Sequence, residues 1–267
     1  MLIRLHIALV SRLVLLFRND EMCVKFLVDM HGVDVLMQLI RTPSSPLFRS
    51  AVLALSHQAR RLQLTLSVCR DPAADGLTAG RSQAAEADDL VFVLDDGSRV
   101  DASRRVMSHS SDVFAAMLAG RFRESTEREV RIQAASTGAF RTMVAWLHDP
   151  GSARRSPGLD VLCELLPLFH RFQIPDAVRR WTLRAPLIAA ALDGDDCGGK
   201  FSRVFRLLMM YDDAGDLRRD VVVSLFTRQM SLRRRCAAVA SVVSAESDCD
   251  AGEFLSVMTA ALLDAIS

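Results

Sequence analysis

The sequence predicts a mostly α-helical protein with one small α+β region in its middle, and three observations carry that expectation. Aromatics make up only 6% of a chain that is 50% hydrophobic, so its cores are built from Leu, Val, Ala and Met, which suit helix packed on helix. Apolar residues recur at helical spacing along much of the chain. The one clear hairpin signal is Leu90 to Leu94, the turn Asp95-Asp96-Gly97, and the return strand Ser98-Arg99-Val100.

With 267 residues the chain is long enough for one large or two small domains. Its 33 Lys and Arg against 32 Asp and Glu leave a net charge of +1, so no global field draws it to nucleic acid or to an anionic membrane. The six cysteines, Cys23, Cys69, Cys163, Cys197, Cys236 and Cys249, form no C-x-x-C pair, which excludes a zinc ribbon and a thioredoxin-type motif. Reduced, structural thiols fit a cytoplasmic or nuclear protein. The run from Leu2 to Phe17 is broken by Arg4, His6 and Arg12 and is not read as a signal peptide. No stretch reaches the roughly 20 apolar residues of a membrane span, so a soluble protein is expected.

Taken in order, Leu2, Leu5, Leu9, Leu13 and Leu16 form the buried stripe of a first amphipathic helix. Val24, Phe26, Leu27 and Met30 form a second, broken at His31-Gly32 where a left-handed residue is convenient. Val33 to Ile40 predicts a third; after the Pro43-Ser44-Ser45-Pro46 turn, Leu47, Val52, Leu53, Leu55 and Leu62 predict a fourth. Asp71 to Ala87 is rich in Ala, Gly, Asp and Ser without apolar periodicity, as a linker is. Beyond the hairpin, Ala102 to Ser108 predicts a short helix. Ser111 or Asp112 then caps another whose apolar side is Val113, Phe114, Met117 and Leu118. Glu129 to Ile132 alternates as a strand with one wet face, and Ser136 to Leu147 is again amphipathic. Phe201 to Tyr211, Leu217 to Met230 and Glu253 to Ile266 complete the helices.

Two resemblances follow from these patterns. The order of helix, glycine break, apolar helix, proline turn and Ala/Leu-rich helix from Met22 to Ala59 resembles one armadillo repeat. Such repeats need about three units to bury a continuous core, so these helices either continue a longer array or pack on the rest of the chain. The central stretch is similar to a BTB (POZ) domain. The matching positions are Asp89-Leu90-x-Phe92, Val106-Met107-x-x-x-Ser111-x-x-Phe114-x-x-Met117, Glu124-Ser125, Val130-x-Ile132 and Phe140. Leu159 to Trp181 is similar to the closing helix pair of that fold. Ser103 stands where the family usually has His, Asp112 where Pro is frequent, and His148-Asp149-Pro150 where a Tyr-Thr-Gly-like end is common.

These resemblances imply a mostly α chain with an α+β BTB/POZ fold, a small sheet flanked by helices. The expected division is an armadillo-like segment over 1–68, a linker over 69–87, the BTB/POZ domain over 88–190 and a helical, BACK-like extension over 191–267. They also imply a non-catalytic adaptor, the substrate receptor of a cullin-3-type ubiquitin ligase, with a cullin scaffold and an unknown protein substrate as partners. The cullin contact is expected at Met117, Phe122, Arg123 and Glu124, because Phe122-x-Glu124 fits the hydrophobic, any residue, Glu pattern of cullin-binding members. An exposed aromatic serves there as an anchor, and the carboxylate sets orientation through charge-assisted bonds. The alternative is a scaffold that self-associates without a cullin. Weak homodimerisation stays open, because no amphipathic helix precedes Asp89 of the kind that family members swap.

No cofactor or metal is expected. Gly194 to Phe201 approaches a phosphate-binding loop, but Phe201 stands where a Ser or Thr hydroxyl is needed, and Asp195 and Asp196 would repel phosphate. His6, His31, His57, His109, His148 and His170 show no paired-ligand spacing. No G-x-S-x-G nucleophile motif occurs. Arg233-Arg234-Arg235 reads as a solvated helix face.

Overall fold

A computed structural model describes residues 25, 27, 31–67, 89–118, 127–133, 136–149, 157–244 and 248–265. The chain divides into two compact units. One takes in the described residues of Val68–Ala190 with Met210–Leu217, and the other the described residues of Met1–Ser67, Ala191–Met209 and Arg218–Ser267.

The first unit is built on a three-stranded sheet of order β2-β1-β3, with β1 at Leu90–Leu94, β2 at Arg99–Ala102 and β3 at Glu129–Ile132. Gly97 takes φ 78°, the left-handed turn that lets β2 return antiparallel to β1. β3 pairs parallel with β1, a connection that needs a long crossover. That crossover carries α1 (Arg104–Ser110) and α2 (Asp112–Leu118). Register places Phe92 beside both Val100 and Val130, Leu90 beside Ala102, and Leu94 beside Ile132. One face of the sheet is therefore wholly apolar.

Onto that face pack aromatic rings from three further places. The Phe92 centroid lies 5.6 Å from Phe114 of α2 and 5.2 Å from Phe140 of α3 (Thr137–His148). Phe172, just past α4 (Leu159–Arg171), stacks on Phe114 at 4.5 Å and meets Phe140 edge-on at 6.0 Å. All four rings are buried. Serine caps set where the helices begin. Ser111 Oγ accepts the Phe114 N–H at 3.1 Å, so of the two expected cap residues it is Ser111 that serves; Ser136 Oγ accepts the Ala139 N–H in the same way. The predicted strand at Glu129 to Ile132 and the helix after Ser136 lie where periodicity placed them.

The remaining helices are α5 (Asp176–Leu192), α6 (Cys197–Tyr211), α7 (Asp216–Thr227), α8 (Leu232–Val243), α9 (Asp248–Asp264) and, earlier in the chain, α10 (Gly32–Ile40) and α11 (Phe48–Arg61). The last two correspond to the predicted third and fourth helices. The left-handed residue at the break is His31, with φ 51°, while Gly32 already lies in the helix. In the second unit α10 and α11 pack on α8, and α10 also on α9. Phe201, Phe205, Phe226 and Phe254 form its aromatic cluster. The helix predicted from Leu2, most of the second predicted helix and the linker lie outside the described residues.

Arg235 corrects one expectation. Its side chain is only 2% exposed, donating from Nε to the Leu225 carbonyl at 2.8 Å and from Nη2 to the Arg228 carbonyl at 2.9 Å. Arg234 donates to the Leu192 carbonyl. Two members of the basic triplet thus satisfy carbonyls at or near helix C-termini, where a cation is favoured.

Replacing Phe114 by Ala should destabilise the first unit by about 3–5 kcal/mol, because it opens a cavity between Phe92 and Phe172. Replacing Arg99, whose ion pair with Glu129 is solvent-exposed, should cost less than about 1 kcal/mol. Urea denaturation of the two variants measures the contrast.

Candidate protein-interaction site

The expected partner contact begins on α2. Phe114 and Leu118 turn inward, leaving Asp112 and Ala116 exposed and Val113 and Met117 half-exposed. A half-exposed Met is a soft, adaptable contact surface. Phe122, Arg123 and Glu124 lie outside the described residues, so of the four expected contact residues the structure describes Met117 alone.

What the structure does describe is how firmly α2 is held. Ser111 caps the helix through its Oγ acceptor and donates its hydroxyl proton to the Phe172 carbonyl, in the turn that closes α4. Phe114 is clasped between Phe92 and Phe172. Arg171 beside it places its guanidinium 5.4 Å from the Phe172 ring centre and donates to the Gln133 carbonyl at 2.8 Å. The last turn of α2 is thus anchored to sheet and helix alike.

Two of the departures from the family pattern meet in space. The Ser103 N–H donates to His148 Nε2 at 2.9 Å, and His148 Nδ1 lies 2.8 Å from the Val144 carbonyl. A carbonyl can only accept, so Nδ1 carries the proton and Nε2 is the acceptor. Ser103 meanwhile caps α1 through the Val106 N–H. The unusual residues therefore form one bonded set joining β2 to the end of α3. Sequence spacing gives no sign of it, since they are 45 positions apart.

A second set lies at the start of α5. Arg179, 3% exposed, bonds Asp176, donates to the Tyr211 carbonyl at 2.7 Å and lies 3.9 Å from Asp212. Arg180 pairs with Asp216. The buried guanidinium thus ties the start of α5 to the end of α6.

Asp96 in the β1–β2 turn is held below the usual carboxylate range, chiefly by the Thr137 hydroxyl and then by the Ser98 N–H at 2.8 Å. Burial pushes the Cys197 and Cys236 thiols up, away from thiolate reactivity. Cys163, Cys197, Cys236 and Cys249 are free thiols. Asp196 accepts the Gly199 N–H at 3.1 Å and so occupies with its own carboxylate the helix start where a phosphate would sit. No cluster with metal-ligand character occurs among the described residues. Among them, too, no helix is long and apolar enough to cross a membrane.

Comparison with known proteins agrees with this geometry. Residues 81–182 match the family model of the BTB/POZ domain. Over 90 residues the chain is 36% identical to Rho-related BTB domain-containing protein 2 of Mus musculus and, to the same degree, to that of Homo sapiens. The match covers 34% of this chain and 12% of each relative, so the chain spans only a small part of the length of these curated relatives.

Thr137→Val should raise the Asp96 pKa toward its ordinary value of about 3.9. With its pKa depressed, Asp96 stabilises the turn above the unfolded-state value, and that contribution is lost as pH falls through the folded value. Carboxyl-carbon NMR titration of both chains reads the shift. An unchanged pKa in the variant would discount the Thr137 bond.

Proposed function

We propose that this chain, whose residues 81–182 form a BTB/POZ domain, is a non-catalytic adaptor that serves as a substrate receptor for a cullin-3-type ubiquitin ligase. BTB domains mediate protein–protein interaction, and the finer assignment rests on one observation. The hydrophobic-x-Glu pattern at Phe122-x-Glu124 follows directly on α2, at the place where cullin-binding members of the family carry it. α2 supplies a rigid platform with Met117 on its open side, so an aromatic anchor presented just beyond it would lose little entropy on docking.

In this reading the helical unit presents the protein to be ubiquitinated. Its N-terminal helices, which resemble an armadillo repeat, and its C-terminal helices would form the receiving surface, since helical repeats recognise partners over extended faces. The adaptor contributes proximity rather than bond chemistry.

Pull-down of a cullin by the wild-type chain and by Phe122→Ala combined with Glu124→Ala tests the assignment. Loss of an anchor and its orienting charge should weaken recovery by about tenfold or more. Equal recovery from both chains would remove this contact from the account, and a stable dimer indifferent to cullin would favour a self-associating scaffold.

A further inference from the structure

Of the chain's 33 lysines and arginines, only Lys25 and Lys200 are lysine. Lysine is ordinarily among the commonest residues of a globular protein. The demands of folding do not account for its scarcity. Some arginines do need their planar fork, as Arg235 does in bonding two backbone carbonyls. Arg41, Arg105, Arg141 and Arg233, however, are exposed, and at such positions lysine matches arginine in charge and in helix propensity.

What separates the two cations there is nucleophilicity. A guanidinium is delocalised and does not lose its proton in proteins, whereas a lysine amine can do so and attack an acyl carbon. Ubiquitin transfer is an attack of that kind. A neutral lysine amine adds to the thioester carbonyl at the C-terminus of ubiquitin. The C–N bond forms, the C–S bond breaks, and the proton of the amine passes to the departing thiolate. A receptor held in a ubiquitin ligase stands beside the protein it delivers, within reach of the same activated carbonyl.

The two lysines differ in setting, although both belong to the second unit. Lys25 stands in helical backbone and is exposed, while Leu27, two positions on and so turned to another side, is 2% exposed. Lys200 on α6 is half-buried, and its Nζ donates to the Asp193 carbonyl at 3.5 Å, in the bend where Gly194 takes φ 89°. A side chain on Gly194 would meet that same Nζ at 3.0 Å, so the ammonium is packed into the bend. To attack a thioester, Lys200 must first leave this carbonyl.

We propose that Lys25 is the side chain on which this chain accepts ubiquitin, and that arginine at exposed positions elsewhere keeps the positive charge while withholding a nucleophile. The proposal rests on the ligase reading above and says how such a receptor is itself regulated, through one amine in the unit assigned to substrate capture.

Reconstitution of the full chain with a cullin–RING assembly, ubiquitin and a ubiquitin-charged conjugating enzyme, read by peptide mass spectrometry, tests it. The isopeptide remnant is expected on Lys25. Lys25→Arg should remove most of the modification, and Lys200→Arg should leave it unchanged. In the Lys25→Arg chain, Arg41→Lys or Arg233→Lys should restore modification at the new lysine, with an unaltered circular dichroism spectrum because one exposed cation replaces another. A small acyl thioester added without any ligase should acylate Lys25 faster than Lys200. Suppose the chain recruits cullin yet is not modified, is modified chiefly at Lys200, keeps its full modification after Lys25→Arg, or gains nothing from either new lysine. Each of these results, or the reverse order of acylation, overturns the proposal and leaves the ligase reading standing. A chain that recruits no cullin and takes up no ubiquitin sinks the ligase reading and the proposal with it.

Discussion

The first unit depends on the clasp around Phe114. Phe92 presents the sheet, Phe140 brings α3 down onto it, and Phe172 brings in the turn after α4; each ring touches at least one of the others within 6.0 Å. The Ser111 hydroxyl doubles the tie by bonding both the Phe114 N–H and the Phe172 carbonyl. A buried hydroxyl with both roles filled is inexpensive, whereas leaving its partners unmet costs about 1–3 kcal/mol. The two-layer arrangement of sheet and helices therefore rests on one aromatic knot and one bifunctional serine. The outer side of the helix so held carries Met117, half-exposed.

A different constraint recurs through both units. Arginine side chains close backbone ends: Arg179 on Tyr211, Arg234 on Leu192, and Arg235 on Leu225 and Arg228. The last carbonyls of a helix lack intrahelical partners, and a cation there gains from the helix dipole as well as from hydrogen bonds. A near-neutral chain can in this way spend many of its arginines on structure.

Much of this was legible in the sequence because local signals and tertiary demands agree. Leu90 to Leu94 is apolar at every position, as suits a central strand, and Glu129 to Ile132 alternates because one of its sides is wet. Helix starts announced themselves through Ser111 and Ser136. The parallel pairing of β3 with β1 is not written in local pattern, since only packing of the intervening helices decides it. Burial of Arg235 escaped for a similar reason: a run of three arginines looks solvated unless the carbonyls awaiting it are known. The Ser103–His148 bond was visible only as two separate oddities. Of the expected cullin contact, Met117 is half-exposed on α2, and Phe122, Arg123 and Glu124 lie outside the described residues.

If Phe122 and Glu124, just beyond α2, carry the cullin contact, the most direct measurement is hydrogen–deuterium exchange of the full chain with and without a cullin. Slowed exchange over residues 112–126, with the Phe92 and Phe140 segments unchanged, is the predicted result. Protection confined to the helical unit, or none at all, would contradict it.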